Sequence, residues 1–186
     1  MKIKVKLNNL SCKIEQNKKG EWIDLKAATT ISLKAPTING IKKFDTALIP
    51  LGISMQLPKY FEANIVPRSS TFKNFKIILA NSMGIIDSTY NGDGDEWKLQ
   101  AIALDSTKIN EGDRIAQFRI RPSQFAPWWI KLKWLFTNKI KFIFVNTLNN
   151  KDRGGFGSTG IKWLIYDSWN NNYNSSMDNF INNFHK

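Results

Sequence analysis

Asn81-Ser82-Met83-Gly84-Ile85-Ile86-Asp87-Ser88-Thr89-Tyr90-Asn91-Gly92 is the stretch on which the reading of this chain turns. Gly84 punctuates a β-branched pair, Ile85-Ile86, and Asn91-Gly92 is a strong two-residue turn signal. The pattern predicts a β-hairpin, with Asp87 just past its apolar arm and Tyr90 beside the turn. A carboxylate next to an aromatic ring on a tight turn is suited to hold a planar ligand and to activate a water. The same residues also suit a plain surface hairpin in which the aspartate only caps the turn.

Outward from this stretch the chain keeps the same punctuation. Lys2 to Leu7 alternates lysine with apolar residues at the period of a half-buried strand. Trp22 to Ala28, Thr30 to Leu33, Ala47 to Leu51, Ile53 to Leu57, Phe61 to Val66 and Trp97 to Leu104 follow as short segments. Pro36, Asn39-Gly40, Pro50, Gly52, Pro58 and Pro67 separate those in the first half. Many short strands between turn residues predict an all-β sandwich or barrel.

Composition narrows the chemistry. A chain of 186 residues with 42% hydrophobic content has room for one domain with a real core. Cys12 is the single cysteine and His185 the single histidine. Disulfide frameworks, thiolate clusters and histidine-based triads or metal sites are therefore set aside in favour of carboxylate chemistry. No apolar run approaches the roughly 18 residues that span a bilayer, and the lysine-dotted N-terminus lacks a signal core. These features predict a cytoplasmic protein with no membrane contact. A net charge of +12 suits a polyanionic partner, whether nucleic acid, membrane surface or nucleoside triphosphate.

Two further segments carry candidate chemistry. Pro67-Arg68-Ser69-Ser70-Thr71 reads either as a helix cap, with Ser69 or Ser70 starting a short helix through Phe75, or as an anion site. Asp152-Arg153-Gly154-Gly155-Phe156-Gly157-Ser158-Thr159-Gly160 can bring backbone amides up to phosphate oxygens. From Arg114 through Lys151 there is no acidic residue, while lysines and arginines alternate with tryptophans and phenylalanines. Residues 124–141 read as an insert with a short helix starting at Pro127. It is expected to fold back through its tryptophans, with Lys131, Lys133, Lys139 and Lys141 facing water. Docking of nucleic acid or a protein partner on this basic, aromatic segment is the competing reading. The tail at 161–186 is rich in asparagine and is expected to add little to the core, in part disordered.

Together these segments resemble the five motifs of the trimeric dUTP pyrophosphatases (dUTPases), in their order and approximate spacing. Ile23-Asp24-Leu25-Lys26-Ala27 is similar to the first and Pro67-Arg68-Ser69-Ser70 to the second. Gly84 to Gly92 resembles the third, Gly112-Asp113-Arg114-Ile115-Ala116-Gln117 the fourth, and Arg153 to Gly160 the fifth. The resemblance implies a jelly-roll-like β-sandwich or barrel with a short helical insert and a flexible C-terminal arm. It divides the chain into a β domain at 1–152, a nucleotide-closing arm at 153–160 and an extension at 161–186.

The resemblance also implies a homotrimer whose active sites are shared between subunits, and hydrolysis of dUTP to dUMP and pyrophosphate with Mg²⁺. Asp87 then activates the water that attacks the α-phosphorus, and Asp24 holds a water on the Mg²⁺. Arg68, Ser69, Ser70 and Gln117 meet the phosphate chain. Asn81 with the backbone of Gly84 and Ile86 reads uracil, and Tyr90 leaves no room for a 2′-hydroxyl. Phe156 covers the base while Arg153, Gly157, Ser158 and Thr159 close on the terminal phosphates.

Three features depart from the family pattern. Trp22-Ile23 stands where a glycine usually precedes the first motif's aspartate, Arg153-Gly154-Gly155-Phe156 is two residues short, and the interval between the fourth and fifth motifs is long. A dCTP deaminase, a bifunctional deaminase-hydrolase, and a nucleotide-sensing regulatory protein on the same fold are the alternatives.

Overall fold

The computed structural model describes residues 1–15, 20–39, 41–137 and 139–157. The chain forms two units, Met1–Gly154 and Gly155–Lys186, of which the second is described only through Gly157. Ser158, Thr159 and the asparagine-rich tail lie outside the described residues.

In chain order the first unit contains β1 (Lys2–Leu7), β2 (Ile23–Lys26), β3 (Ile31–Leu33), β4 (Thr37–Asn39), β5 (Ile41–Lys43), β6 (Thr46–Pro50), β7 (Ile53–Gln56) and β8 (Phe61–Pro67). Helix α1 (Thr71–Phe75) follows, then β9 (Ile77–Leu79), β10 (Gly84–Asp87), β11 (Lys98–Ala103), β12 (Thr107–Ile109), β13 (Arg114–Pro122), helix α2 (Trp128–Phe136) and β14 (Lys141–Val145). The main sheets run β10-β8-β13-β2, β14-β1-β7 and β6-β11-β9, with the pairs β12-β3 and β4-β5 beside them. The all-β expectation holds.

Alternation decides which face of each strand turns inward. Ile3 and Val5 of β1 are buried while Lys2 and Lys4 are exposed. In β13, Ala116, Phe118 and Ile120 point into the core, and Gln117, Arg119 and Arg121 point out. Inward residues of the three main sheets share one apolar cluster, with Met55 from β7, Ile65 from β8 and Leu99 from β11 among its members. Trp97 and Phe118 meet edge to face at its centre, their ring centroids 5.2 Å apart. Such a contact adds about 1 kcal/mol to the burial of the two rings. Gly52 turns the chain between β6 and β7 at φ +69°, where a Cβ would stand 2.6 Å from that of Cys12. Only glycine fits there.

The central stretch does not form the hairpin that Asn91-Gly92 suggests. β10 pairs with β8, and the chain then crosses to β11, which pairs with β6 and β9 in another sheet. Local turn propensity is overridden by burial. Tyr90 and Trp97 both anchor the intervening loop in the core, and Gly92 is needed for close approach to Asp152, whose Cα would lie 2.5 Å from an added Cβ.

The insert is helical, as its composition predicts, but it packs only in part. Trp134 meets Phe61 edge to face at 5.3 Å. Trp128 and Trp129 meet edge to face, and both remain more than half exposed, as do Phe125, Leu135 and Phe136. Lys131, Lys133 and Lys139 face solvent as expected. Lys141 is exposed as well, and it opens β14, which pairs in parallel with β1.

This contrast gives a stability prediction. Phe118→Ala should cost about 3–5 kcal/mol in urea unfolding, whereas Trp134→Ala should cost about 1 kcal/mol, the scale of one aromatic pair. Equal losses would mean that α2 is part of the core.

Candidate active site

Two polar clusters lie on the outer face of the sheet β10-β8-β13-β2. The first is built by register. Gln117 of β13 stands opposite Asp24 of β2 on one side and Val66 of β8 on the other. Directly opposed residues share a face, so Asp24 and Gln117 point outward while Ile23 and Phe118 point inward.

Arg68 follows the last residue of β8 and donates from Nε to Asp24 Oδ1 at 2.7 Å. Arg114 donates from Nη1 to Asp24 Oδ2 at 3.0 Å. One carboxylate between two guanidiniums leaves the corner with an excess positive charge, which favours an anion. The Ser70 hydroxyl accepts from Arg68 at 3.4 Å, and Gln117 donates to the Pro67 carbonyl at 3.4 Å. Ser69 and Ser70 do not cap α1 through their side chains. Thr71 does the local work instead, accepting from the Arg68 N–H and donating to the Ile115 carbonyl.

The second cluster surrounds Asp87 at the end of β10. Asp87 Oδ1 accepts the Thr89 N–H at 2.8 Å and the Thr89 hydroxyl. The guanidinium of Arg153 stands 3.2 Å from Asp87 Oδ2. Partial burial pushes this carboxyl up, but the two Thr89 hydrogen bonds and the Arg153 charge outweigh it and hold the pKa below the ordinary 3.8. Asp87 is thus a carboxylate at neutral pH. Tyr90 is buried, and its hydroxyl donates to the Glu96 carbonyl at 3.0 Å. Its pKa is pushed up to about 12, first by burial and then by Asp95, Glu96 and Asp152. The ring is fixed and neutral.

At the end of β10 away from Asp87, the bend at Asn81–Met83 joins β9 to β10, with Ser82 at φ 60°. Ile86 turns its side chain toward the core, so Gly84 and Ile86 present backbone rather than side chain. β10 is an edge strand, and the peptide groups facing away from β8 are open to a ligand. Phe156, in the second unit, is 47% exposed.

The two clusters do not meet within one chain. Asp87 pairs with Glu62 near the start of β8, whereas Arg68 follows its end. Five strand steps separate Glu62 from Pro67, about 17 Å at ~3.3 Å per residue. One phosphate group cannot touch both.

Sequence reasoning overlooked several partners. Arg114 on Asp24 is visible only once β13 is laid beside β2. Thr89 is a local partner that its spacing of two from Asp87 could have signalled. Asp95, 1% exposed, accepts the N–H groups of Gly92, Arg153 and Gly154 at 2.9 Å each. Those arm residues lie too far along the chain for any local pattern.

Outward carboxylate–arginine clusters, one with excess positive charge, define a class of β-sandwich proteins suited to a phosphate-bearing ligand. The dUTPase family model matches residues 24–124. The SPbeta prophage-derived deoxyuridine 5′-triphosphate nucleotidohydrolase YosS of Bacillus subtilis is 45% identical over 163 residues, covering 87% of this chain and 100% of that protein. Among solved structures, the dUTPase of Streptococcus mutans superimposes with a TM-score of 0.56 at 19% identity, over 66% of this chain and 98% of that one. A variant of the dUTPase from phage phi11 of S. aureus, described with a structural Mg(II) ion, gives a TM-score of 0.53 at 19% identity, over 67% and 93%. The chain belongs to the dUTPase family.

The depressed Asp87 pKa has a testable origin. Its charged form adds stability that is present above the unfolded-state pKa and is lost as pH falls through the folded value. Thr89→Val removes the hydroxyl donor, so a carboxylate NMR titration should show the Asp87 pKa moving up. An unmoved titration would assign the depression to the backbone bond and Arg153 alone.

Proposed function

We propose that this chain hydrolyses dUTP to dUMP and pyrophosphate, in sites shared between the subunits of a homotrimer. The observation that carries the reading is the separation of the clusters. Asp87 with Arg153 sits at one end of β8, and Asp24 with Arg68, Arg114 and Gln117 at the other. A second copy brings the complementary end to each Asp87. The name of the B. subtilis relative supports the substrate.

In this mechanism Asp87 takes a proton from a water as its oxygen forms a bond to the α-phosphorus. The bond from that phosphorus to the bridging oxygen of the β-phosphate breaks, and pyrophosphate leaves with the electron pair. An ionised carboxylate within hydrogen-bond reach is the required base, and the low pKa of Asp87 keeps it unprotonated. Arg68, Ser69, Ser70 and Gln117 of the second copy hold the phosphate chain. Asn81 and the open edge of β10 at Gly84 and Ile86 read the uracil edge, where cytosine would set donors against donors. Tyr90, fixed through Glu96, fills the space a 2′-hydroxyl needs. Phe156, Gly157, Ser158 and Thr159 close over the nucleotide.

Among the described residues no group of three or more acidic, histidine or cysteine side chains could cage a metal. Asp24 is already engaged by two guanidiniums. These residues fit a Mg²⁺ that arrives on the triphosphate, with Asp24 reaching it through water. The ion would neutralise charge on the phosphate chain.

Asp87→Asn keeps the shape and removes the base. Pyrophosphate release from dUTP should fall by about 10²–10⁴-fold, while dUTP binding by calorimetry persists. Near-normal turnover would mean that another group activates the water. UTP and dCTP should be poor substrates for the wild type. Ammonia release from dCTP would favour the deaminase reading instead.

A further inference from the structure

The hydrolysis proposed above makes no use of α2, yet this segment holds a dense group of exposed apolar side chains. Phe125, Trp128, Trp129, Leu132, Leu135 and Phe136 are each between 46% and 83% exposed. Single exposed apolar residues are ordinary, whereas a contiguous group marks a surface that meets something.

The helix has two apolar faces. Successive residues turn by about 100° around its axis. Ile130 and Trp134 fall on one side, both partly buried, and Trp134 rests on Phe61. Trp128, Trp129, Leu132, Leu135 and Phe136 fall on the opposite side, within an arc of about 120°. Lys131 and Lys133 stand at the two edges of that arc, both exposed, and Lys139 follows the helix in solvent. The β domain accounts for the first face and leaves the second bare.

The charge around the bare face has one sign. No acidic residue occurs from Arg114 through Lys151. Lys131 donates to the Gln124 carbonyl at 3.2 Å, which leaves its charge in place. Glu21 lines the groove under the helix together with Arg119 and Arg121, and Arg121 is already held by Glu62 at 2.9 Å.

An apolar centre with a cationic rim calls for a partner that is apolar within and anionic at its boundary. A second copy is a poor match, because it brings the same cations and a net charge of +12. A nucleic acid presents its phosphates outermost, and Leu132 and Leu135 at the middle of the face give its bases nothing to stack on. A lipid leaflet has the required order. Its acyl chains receive tryptophan, phenylalanine and leucine, while flanking lysines extend their stems to the headgroups.

We propose that α2 is a membrane-surface anchor. Its bare face seats Trp128, Leu132 and Phe136 at the headgroup–acyl boundary of an anionic leaflet, with Lys131 and Lys133 on the headgroups. Among the described residues no helix is long and apolar enough to cross a membrane, so α2 lies on the surface. The expectation of no membrane contact came from the lack of a span, which has no bearing on such a helix. A single nine-residue helix gives weak, reversible binding.

The full chain is tested with vesicles of phosphatidylcholine, alone or mixed equally with phosphatidylglycerol. It should sediment with the mixed vesicles at least ten-fold more tightly than with phosphatidylcholine alone. Brominated acyl chains in the mixed vesicles should quench its tryptophan fluorescence. Trp128→Ser with Phe136→Ser should lose at least ten-fold in vesicle affinity and keep the wild-type thermal midpoint. Lys131→Gln with Lys133→Gln should bind the mixed vesicles about five-fold more weakly for each lysine lost.

No sedimentation with the mixed vesicles, or sedimentation that the Trp128 and Phe136 pair leaves unchanged, overturns the proposal. So does a fall in molar mass of that variant by light scattering, which would mean that a second copy covers the face. A single-stranded oligonucleotide that displaces the vesicles, and whose binding needs only the lysines, would assign the face to nucleic acid instead. If the Trp128 and Phe136 pair does not fold, the lysine pair decides by itself. Pyrophosphate release from dUTP, measured on the same samples, judges the enzymatic reading separately.

Discussion

The register of β13 is the constraint on which the rest of the structure depends. This nine-residue strand pairs with β8 along seven positions and with β2 along four. A slip of one residue would exchange its faces, bringing Gln117, Arg119 and Arg121 into the core and expelling Phe118. Burial of Ala116, Phe118 and Ile120 therefore pins the outer row as well. Gln117 is held opposite Asp24 and Arg121 opposite Glu62 for reasons that have nothing to do with ligand binding. Apolar packing on one side positions charged groups on the other.

Charge is then distributed unevenly along that outer face. Arg121 is paired with Glu62 at 2.9 Å and Arg153 with Asp87, so the end near β10 is balanced. At the other end one aspartate faces two arginines. The end with surplus positive charge is the one that favours an anion, while Asp87 at the opposite end is already paired with Arg153. Arg119, between the two, lies over the Trp22 ring at 4.8 Å, where cation–π contact occupies it. Trp22 belongs to the Trp22-Ile23 pair that departs from the family pattern, and its contact with Arg119 gives that residue a structural part.

Carboxylates also do the structural work that short strands cannot. Asp93, Asp95 and Asp152 satisfy backbone donors in segments that form no ladder, between residues 91 and 95 and between 147 and 154. Burial raises the Asp95 carboxyl pKa, but the N–H groups of Arg153, Gly92, Gly154 and Asn91 more than offset it and leave the pKa lowered. The α2 segment shows the opposite economy. Trp128, Trp129, Leu132 and Leu135 are largely exposed, and Trp134 is the one of its tryptophans that, among the described residues, has an aromatic partner in the β domain.

The sequence by itself determined the strand-rich class, the alternation of β1, the helical start at Pro127 and the residues of the motifs. These depend on local steric preference and on period, which are written into neighbouring residues. It also carried Asp24, Arg68, Asp87 and Arg153 as candidates, through spacing shared with a family. Only the tertiary structure decided that the 81–92 stretch is split between two sheets, because burial of Tyr90 and Trp97 outweighs a two-residue turn preference. It alone decided that Asp24 bridges two arginines and that Asp95 grips the arm. Those contacts join residues 44 to 90 positions apart; register between distant strands places Asp24, and packing of two loops places Asp95, where no local pattern could.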